Sequence, residues 1–259
     1  MIVYHDNKYI EQEKVYIPIS APGFQYGMGF FTTMKYSENK FHFLKEHLER
    51  LNKSASYFKF QIKKCDIPKV LRKLMEVNQL QESRIKIMIY LDTDDQMKYL
   101  IMPQKLTIRK NAPDLLAKQT NRGDNPLYRF KTMNYFENIY NKGLLDDSLF
   151  DDYLFYDRAG HLLELTTSNI HFIKDGKIYT PDQRLPILPG IVRKALIIHK
   201  QTTVIEDFIN IEDVSGFDSC FITNSMNGVT PVSSITINNH KFIFDKSMLG
   251  ILPEEIRNL

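Results

Sequence analysis

Two charged side chains, Lys131 and Glu164, lie 33 residues apart beside apolar strand patterns. A lysine amine can form a covalent imine with a carbonyl compound, and a carboxylate can hold a proton on a heterocyclic nitrogen. Each residue also has an ordinary interpretation, because most lysines are solvated and most acids in strands face water. Glu164 interrupts the apolar run at 162–165, so it is either such an outward residue or a buried acid with a partner.

Two further segments could supply donors to an anion. In the segment LPGIVR (188–193), a predicted helix begins so that the N–H groups of Ile191 and Val192 point out of its first turn. The helix dipole would favour an anion there, although a plain Pro-Gly helix start explains the same residues. In FITNSMN (221–227), small polar groups such as Ser225 follow an apolar strand, where they form either a capping turn or additional anion donors.

Together, these residue types match the requirements of pyridoxal 5′-phosphate (PLP). That cofactor needs a lysine for its Schiff base, a carboxylate that keeps its pyridine nitrogen protonated, and a nest of donors for its phosphate. Lys131, Glu164 and the segment 188–193 offer these three functions. The sequence therefore predicts a PLP site that accepts a small-molecule substrate.

Short helices and strands must position these groups, and their pattern predicts an α+β fold. The apolar spacing from Leu44 to Ala55 predicts one helix in the N-terminal half. The spacing from Ile67 to Met75 predicts a second, with Asp66 as its N-cap. Strand patterns precede and follow the two helices without strict alternation, which favours α+β over α/β.

A polar stretch divides the chain into two predicted domains. Residues 113–126 include two prolines and a glycine and offer only two leucines for burial, which is typical of a linker. We therefore expect an N-terminal domain at 1–112, an interdomain linker at 113–126, and a C-terminal domain at 127–259 that carries the lysine.

Composition and missing motifs exclude several classes of protein. With 34 Lys and Arg against 31 Asp and Glu among 259 residues, the net charge of +3 argues against a nucleic-acid-binding protein. Two cysteines preclude a disulfide framework and predict a reducing compartment. No apolar run approaches the ~18 residues of a transmembrane helix, and no signal-peptide core follows Met1, so we expect a cytoplasmic protein without a membrane partner. The HExxH, phosphate-loop and GxSxG motifs are also missing, and no metal site is predicted.

The order of seven motifs resembles one enzyme family. They are GFQYGMGFF (23–31), HLERL (47–51), KTMNY (131–135), ELTTSNIHF (164–172), DGKIYTP (175–181), LPGIVR (188–193) and FITNSMNGVTPV (221–232). Each motif alone is weak, but in this order they are similar to the fold-type IV PLP enzymes, the class-IV aminotransferase family. The likeness extends from about residue 20 to residue 232. It implies a two-domain α+β fold like that of D-amino acid aminotransferase.

The resemblance implies a role for each matching residue. Because members of the family are typically homodimers, it also implies a homodimer for this chain. Lys131 matches the Schiff-base lysine, and Glu164 matches the acid on the pyridine nitrogen. Branched-chain aminotransferases have a tyrosine near the ring hydroxyl of the cofactor. Tyr135 lies near the matching position, but one residue closer to the lysine than that tyrosine. The implied phosphate ligands are the Arg50 side chain, the backbone N–H groups of Ile191 and Val192, and the Ser225 hydroxyl.

Within the family, the strand after the glycines favours the 4-amino-4-deoxychorismate lyases. Aminotransferases commonly have a glutamate after its two bulky residues, whereas this chain has Thr32 and Thr33, and the segment 226–232 is also lyase-like. The resemblance thus implies conversion of 4-amino-4-deoxychorismate to 4-aminobenzoate and pyruvate, a step of folate biosynthesis. Thr32, or else Thr33, would act as a catalytic hydroxyl near the leaving group, although β-branched residues also simply favour strands. The alternatives are a class-IV aminotransferase acting on branched-chain or D-amino acids, and a non-catalytic family member.

Two segments depart from the family pattern. The acidic stretch 92–95 (DTDD) stands where relatives often have an Arg-Gly-rich loop that contributes to binding of the substrate carboxylate. Ala21 and Pro22 stand where many relatives have Asp-Arg. Both changes affect the expected substrate rather than the cofactor site, because an acidic loop that faced the site would repel a dicarboxylate.

Overall fold

A computed structural model describes residues 1–108 and 111–254 and has the expected α+β composition. The chain forms two compact units. The first contains Met1–Thr107 together with Phe130–Tyr135, and the second contains the described residues of Ile108–Arg129 and Phe136–Leu259. Among the residues that the structure describes, no helix is long and apolar enough to cross a lipid bilayer.

The first unit is built on an antiparallel sheet of six strands. In chain order they are β1 (Ile2–His5), β2 (Lys8–Glu11), β3 (Gly29–Ser37), β4 (Lys40–Phe41), β5 (Ser83–Leu91) and β6 (Met97–Gln104). Their order in the sheet is β2-β1-β6-β5-β3-β4. The helices of this unit are α1 (Pro22–Gln25), α2 (Leu44–Tyr57) and α3 (Ile67–Val77), and a 3-10 turn spans Gln12–Lys14.

Both helices predicted in the N-terminal half are present. α2 buries Leu51 and Ala55 from the predicted apolar face. α3 begins at its predicted N-cap, where the Asp66 carboxylate accepts a hydrogen bond from the N–H of Lys69. α2 and α3 contribute to one hydrophobic cluster with β3, β5 and β6, so they cover one face of the sheet.

The two faces of β3 carry different neighbours because side chains alternate along a strand. Phe30 and Met34 belong to the cluster formed with α2 and α3, whereas Phe31 packs in a second cluster. Thr32 therefore points toward α2, and Thr33 shares the opposite face with Phe31.

The segment Phe130–Tyr135 pairs with β3 inside the first unit. The N–H of Phe31 donates to the carbonyl of Lys131 at 2.9 Å, and the N–H of Met133 donates to the carbonyl of Gly29 at 2.8 Å. A Cβ at position 29 would lie 2.6 Å from the carbonyl oxygen of Ile89 and 2.5 Å from the sulfur of Met133, so only glycine fits there. The lysine thus belongs to the first unit and not, as we expected, to a C-terminal domain.

The second unit contains a sheet of ten strands. They are β7 (Asp114–Gln119), β8 (Asp152–Tyr156), β9 (Leu162–Leu165), β10 (Asn169–Lys174), β11 (Lys177–Pro181), β12 (Val204–Asp207), β13 (Ser219–Asn224), β14 (Gly228–Pro231), β15 (Ser234–Ile237) and β16 (His240–Ile243). The main path is β12-β11-β10-β9-β8-β7-β15-β16, and β13 pairs with β10 and β14. Helices α4 (Phe136–Gly143) and α5 (Ile191–Ile198) complete the unit, with 3-10 turns at Pro126–Arg129, Ile211–Gly216 and Lys246–Ile251.

The prediction of a linker at 113–126 was wrong, because β7 lies within it. β7 runs parallel to both β8 and β15 in the sheet, and Leu115 is fully buried. Its polar residues have partners inside the unit: Lys118 donates to the amide oxygen of Asn141 at 2.6 Å, and Asp114 accepts from the Ser234 hydroxyl. The polar composition suggested a solvated segment, but hydrogen bonds to residues elsewhere in the unit satisfy these side chains.

Candidate active site

Lys131 is surrounded by two aromatic rings in the first unit. Its Nζ donates to the Tyr135 hydroxyl at 3.0 Å and lies 4.7 Å from the centroid of the Phe31 ring. The Tyr135 ring meets the Phe31 ring edge-on, with centroids 5.1 Å apart. The motif KTMNY therefore turns the chain so that its tyrosine returns to its lysine, and the amine is held in a defined position.

Arg50 and His47 project from α2 toward β3 and share one partner. The Arg50 guanidinium donates to the Thr32 hydroxyl oxygen, and His47 Nδ1 lies 2.5 Å from the same oxygen. Because that oxygen accepts a hydrogen bond from Arg50, we assign the Thr32 hydroxyl as the donor to His47 Nδ1. The imidazole then carries its proton on Nε2.

Burial sets the charges of this pair. It lowers the pKa of His47 well below the ordinary value, and the nearby charges of Arg50 and Lys131 lower it further, so the imidazole is neutral at pH 7. Burial also lowers the pKa of Arg50 to about 10, which leaves the guanidinium charged. One buried cation thus stands beside two neutral groups, an arrangement that favours a ligand anion.

Two donors of this group fit a phosphate. His47 Nε2 and Arg50 Nε are buried and have no hydrogen-bond partner among the described residues. Buried donors are normally paired, because leaving one unsatisfied costs about 1–3 kcal/mol. Two unsatisfied donors on side chains that share the Thr32 hydroxyl, one of them cationic, are suited in chemistry to the oxygens of a phosphate monoester. By this test the residues of the first unit fit the phosphate of PLP.

The structure gives Thr32 and Thr33 different surroundings. Thr32, which we expected to act as a catalytic hydroxyl, is fully buried and bonded to Arg50 and His47. Thr33 is half-buried and lies on the Phe31 face of β3, the face that Lys131 approaches. This geometry supports a positioning role for Thr32 and makes Thr33 the hydroxyl on the lysine side of the strand.

We expect Thr32→Val to weaken cofactor binding roughly ten- to a hundredfold, because it removes a hydrogen bond from a buried cation while keeping the side-chain shape. Titration of the apoenzyme with PLP would measure this loss, and Thr32→Ser should keep near-normal affinity. Normal PLP affinity in Thr32→Val combined with a large loss of kcat would contradict the positioning role and support the catalytic one.

Glu164 is a buried acid with partners, in the second unit. Arg122 Nη1 donates to its Oε1 at 2.7 Å, and the N–H of Leu188 donates to its Oε2 at 3.0 Å. The Asn169 amide approaches Oε2 at 3.4 Å. A carboxylate with a cation and two neutral donors is stabilised in its charged form, which is the form that can hold a protonated pyridine nitrogen.

Arg122 is the principal residue that sequence reasoning missed. Its side chain is fully buried between the rings of Tyr128 and Phe155, with its guanidinium carbon 4.5 Å and 4.9 Å from their centroids. Its Nε lies 3.3 Å from Glu137 Oε2, as an ion pair without hydrogen-bond geometry. The residue lies in the predicted linker, where no periodic pattern indicated that it is buried.

The predicted anion site at 188–193 begins α5. Ile191 and Val192 are buried, and the N–H groups of a first helical turn have no acceptor within the helix. A Cβ at Gly190 would lie 2.0 Å from Asn169 Oδ1, so only glycine fits there. Asn169 also donates to the Leu188 carbonyl at 2.8 Å and thereby connects Glu164 to the start of the helix.

Ser225, the remaining predicted phosphate ligand, lies half-buried in the turn between β13 and β14. The turn is held by Asn224, whose side-chain oxygen accepts from the N–H groups of Met226 and Asn227, each at 2.9 Å. The segment is therefore a capped turn, and its cap is the Asn224 side chain rather than the Ser225 hydroxyl. The first unit thus contains Thr32, Arg50, Lys131 and Tyr135, and the second contains Glu164 and the start of α5.

Comparisons with known proteins identify the family and the fold of this chain. A family model described as amino-transferase class IV matches residues 29–235. A probable branched-chain-amino-acid aminotransferase of Rickettsia bellii is 30% identical over 240 residues, which cover 82% of this chain and 80% of the relative. The aminodeoxychorismate lyase of Bacillus subtilis is 23% identical over 261 residues, covering 92% and 88%. The PLP-bound structure of a hypothetical aminotransferase from Mycobacterium tuberculosis has the same fold, with a TM-score of 0.84 at 16% identity over 97% of this chain and 96% of that one.

Proposed function

Because the chain belongs to the class IV aminotransferase family of PLP-dependent enzymes, we propose that it is an aminodeoxychorismate lyase. The reaction would convert 4-amino-4-deoxychorismate to 4-aminobenzoate and pyruvate. The observation that carries the proposal is the pair Thr32 and Thr33 in β3, with Thr33 on the same face as Phe31, whose ring Lys131 approaches. Similarity to the B. subtilis lyase over 92% of this chain adds support.

Lys131 would hold the cofactor covalently, and its amine would be the base that takes the proton from the substrate carbon bearing the nitrogen. PLP, when bound, supplies a ring that withdraws electrons from that carbon. The Tyr135 hydroxyl, 3.0 Å from Nζ, would orient the lysine during the proton transfer. Thr33 would donate a hydrogen bond toward the group that leaves as pyruvate.

The remaining cofactor contacts are also proposals. Arg50, supported by Thr32 and by the Nε2–H of His47, would bind the phosphate. The N–H groups of Ile191 and Val192 and the hydroxyl of Ser225 would add neutral donors. Glu164 would hold the pyridine nitrogen in its protonated form, because its charge is maintained by Arg122. We also propose a homodimer and a role in folate biosynthesis, which the family resemblance implies. The proposed cytoplasmic location rests on the composition of the sequence.

Transamination is the second candidate, and the 30% identity to the R. bellii protein favours it. An aminotransferase acting on branched-chain or D-amino acids needs a keto acid to complete its cycle, whereas the lyase needs no second substrate. This difference in stoichiometry separates the two activities regardless of their rates.

We expect the purified holoenzyme to release 4-aminobenzoate and pyruvate in equal amounts from 4-amino-4-deoxychorismate when no keto acid is present. Fluorescence would follow 4-aminobenzoate, and a lactate dehydrogenase assay would follow pyruvate. Thr33→Val, matched in shape, should lower kcat, while Thr33→Ser should retain it. If the enzyme instead only exchanges amino groups between amino acids and keto acids, the lyase proposal is wrong.

A further inference from the structure

A buried histidine of the second unit, His171 on β10, takes no part in the chemistry described above. Its side chain is fully buried, and its ring stacks on the Phe221 ring of β13, with centroids 4.7 Å apart. Its Nε2 atom is hydrogen-bonded to the Thr223 hydroxyl at 2.9 Å. Burial lowers the pKa of His171 well below its ordinary value, and the charge of Arg193 lowers it further, so the ring is neutral at pH 7.

The polar atoms around this ring are costly for stability. The Nδ1 atom of His171 has no hydrogen-bond partner among the described residues, and the same holds for the Nε atom of Arg193 and the hydroxyl of Ser219. Buried polar groups are normally paired, so an apolar ring stacked on Phe221 would serve stability better. Polar groups that a fold keeps at such a cost are typical of functional sites. The polarity of the His171 ring therefore indicates a role beyond packing.

The position of His171 on β10 indicates what that role is. Side chains alternate along a strand, so Asn169 and His171 lie on the same face of β10. Asn169 contacts the start of α5, where it donates to the Leu188 carbonyl at 2.8 Å and leaves no room for a Cβ at Gly190. His171 contacts Thr223 near the end of β13. One face of β10 thus holds both the start of α5 and the end of β13.

The end of β13 leads directly into the turn that carries Ser225. Asn169 and Thr223 form the last pair of the ladder between β10 and β13. Beyond this pair, the Asn224 amide donates to the hydroxyl of Ser168, the residue before β10, at 3.0 Å. The turn is therefore attached to β10 through side-chain hydrogen bonds at two successive residues of β13. Loss of either bond would free the Ser225 hydroxyl to move relative to the first turn of α5.

We propose that His171 is a positioning residue of the cofactor site: through Thr223 it holds the turn of Ser225 where that turn and the start of α5 can donate to one phosphate. This inference rests on the proposed phosphate contacts of Ser225 and of the N–H groups of α5. His171 acts through Thr223 and is not itself a catalytic residue. A phenyl ring would fill the same space, but it could not form the hydrogen bond to Thr223.

The experiment measures how strongly the full-length apoenzyme prefers PLP over pyridoxal, which lacks only the phosphate. Titrations followed by absorbance would give both dissociation constants. The double variant His171→Phe/Thr223→Val replaces both hydrogen-bond partners by apolar groups of similar shape, so its urea midpoint should equal or exceed that of the wild type. We expect its preference for PLP to fall roughly tenfold, because misplaced donors weaken phosphate binding and leave the contacts of pyridoxal unchanged.

Two single variants are the controls. His171→Gln places an amide near the position of Nε2, where it can bond to the Thr223 hydroxyl, and it should keep most of the preference for PLP. His161→Phe makes the aromatic substitution at another histidine of the second unit, one that is bonded to Asp157 in its own turn. It should leave the preference for PLP unchanged.

Three results for the double variant would overturn the role of His171: an unchanged preference for PLP, an equal loss of affinity for PLP and pyridoxal, or a lower urea midpoint. Ser225→Ala tests the contact on which the inference rests, and an unchanged preference in that variant would overturn the contact and the inference together. The lyase reaction does not enter these measurements. A wild-type enzyme that binds PLP but releases no 4-aminobenzoate and pyruvate would therefore contradict the proposed function alone.

Discussion

Lys131→Ala is expected to abolish turnover, with a loss of at least about 10⁴-fold in kcat. The substitution removes both the covalent attachment of PLP and the base that moves the proton, and a positioned base alone contributes roughly 10²–10⁴-fold. The yellow absorbance expected near ~410–420 nm from a lysine-bound cofactor should also disappear. Steady-state kinetics and absorption spectra of the purified variant would measure both effects.

Chemical reduction of the bound cofactor would identify which lysine amine carries it. Borohydride reduction should fix PLP to the wild-type chain, and peptide mass spectrometry should locate it at Lys131. Lys53→Ala is the matched control, because Lys53 is exposed on α2 and its removal should change neither turnover nor trapping. Lys86, over the same phenyl ring, is the other amine to examine. Trapping at Lys86 in the wild-type enzyme, or persistent trapping in Lys131→Ala, would contradict the assignment of Lys131.

The elements that local sequence determines were predicted well. Apolar periodicity and the N-cap Asp66 predicted α3, and apolar spacing predicted α2. Both helices could be predicted because these patterns depend only on neighbours within a few residues. Lys131 and Glu164 could be selected because the ordered motifs around them resemble those of the enzyme family. Their contacts with Tyr135 and Arg122 required the folded chain.

The orientation of β3 shows why the rest could not be predicted. Alternation places Thr32 and Thr33 on opposite faces, but which face meets α2 depends on how helix and sheet pack. Our choice of Thr32 as the catalytic hydroxyl, with Thr33 as the alternative, came from the family resemblance, and the structure bonds Thr32 to Arg50. β7 was missed for a related reason, because its polar side chains are satisfied by residues distant in sequence.

Arg122→Met should have the largest effect on stability. The substitution keeps much of the side-chain volume between the two aromatic rings but leaves the Glu164 carboxylate buried without its cation. Removal of one partner from a buried ion pair typically costs about 3–5 kcal/mol. We expect a loss of that size in the free energy of unfolding, measured by urea denaturation of the apoenzyme with an unchanged m-value.

Glu164→Gln separates the stabilising role of the pair from its role at the cofactor. This variant keeps the side-chain shape and leaves Arg122 in contact with Glu137 and the Pro186 carbonyl, so it should be destabilised less than Arg122→Met. The neutral amide cannot balance a protonated pyridine nitrogen, so kcat should fall roughly a hundredfold or more while the absorbance of the lysine-bound cofactor persists. Full activity in Glu164→Gln would show that this carboxylate does not serve the cofactor.

The double variant Arg122→Met/Glu164→Gln completes the test, because it removes both charges together. We expect it to be more stable than the sum of the single effects predicts, by about 1–3 kcal/mol, since neither charge remains buried alone. Glu137→Gln is the matched control: it alters the more exposed carboxylate beside the same arginine and should change the free energy of unfolding by less than about 1 kcal/mol. Additive effects of the two substitutions on the free energy of unfolding would mean that Arg122 and Glu164 act independently. A group other than Arg122 would then have to stabilise the Glu164 carboxylate.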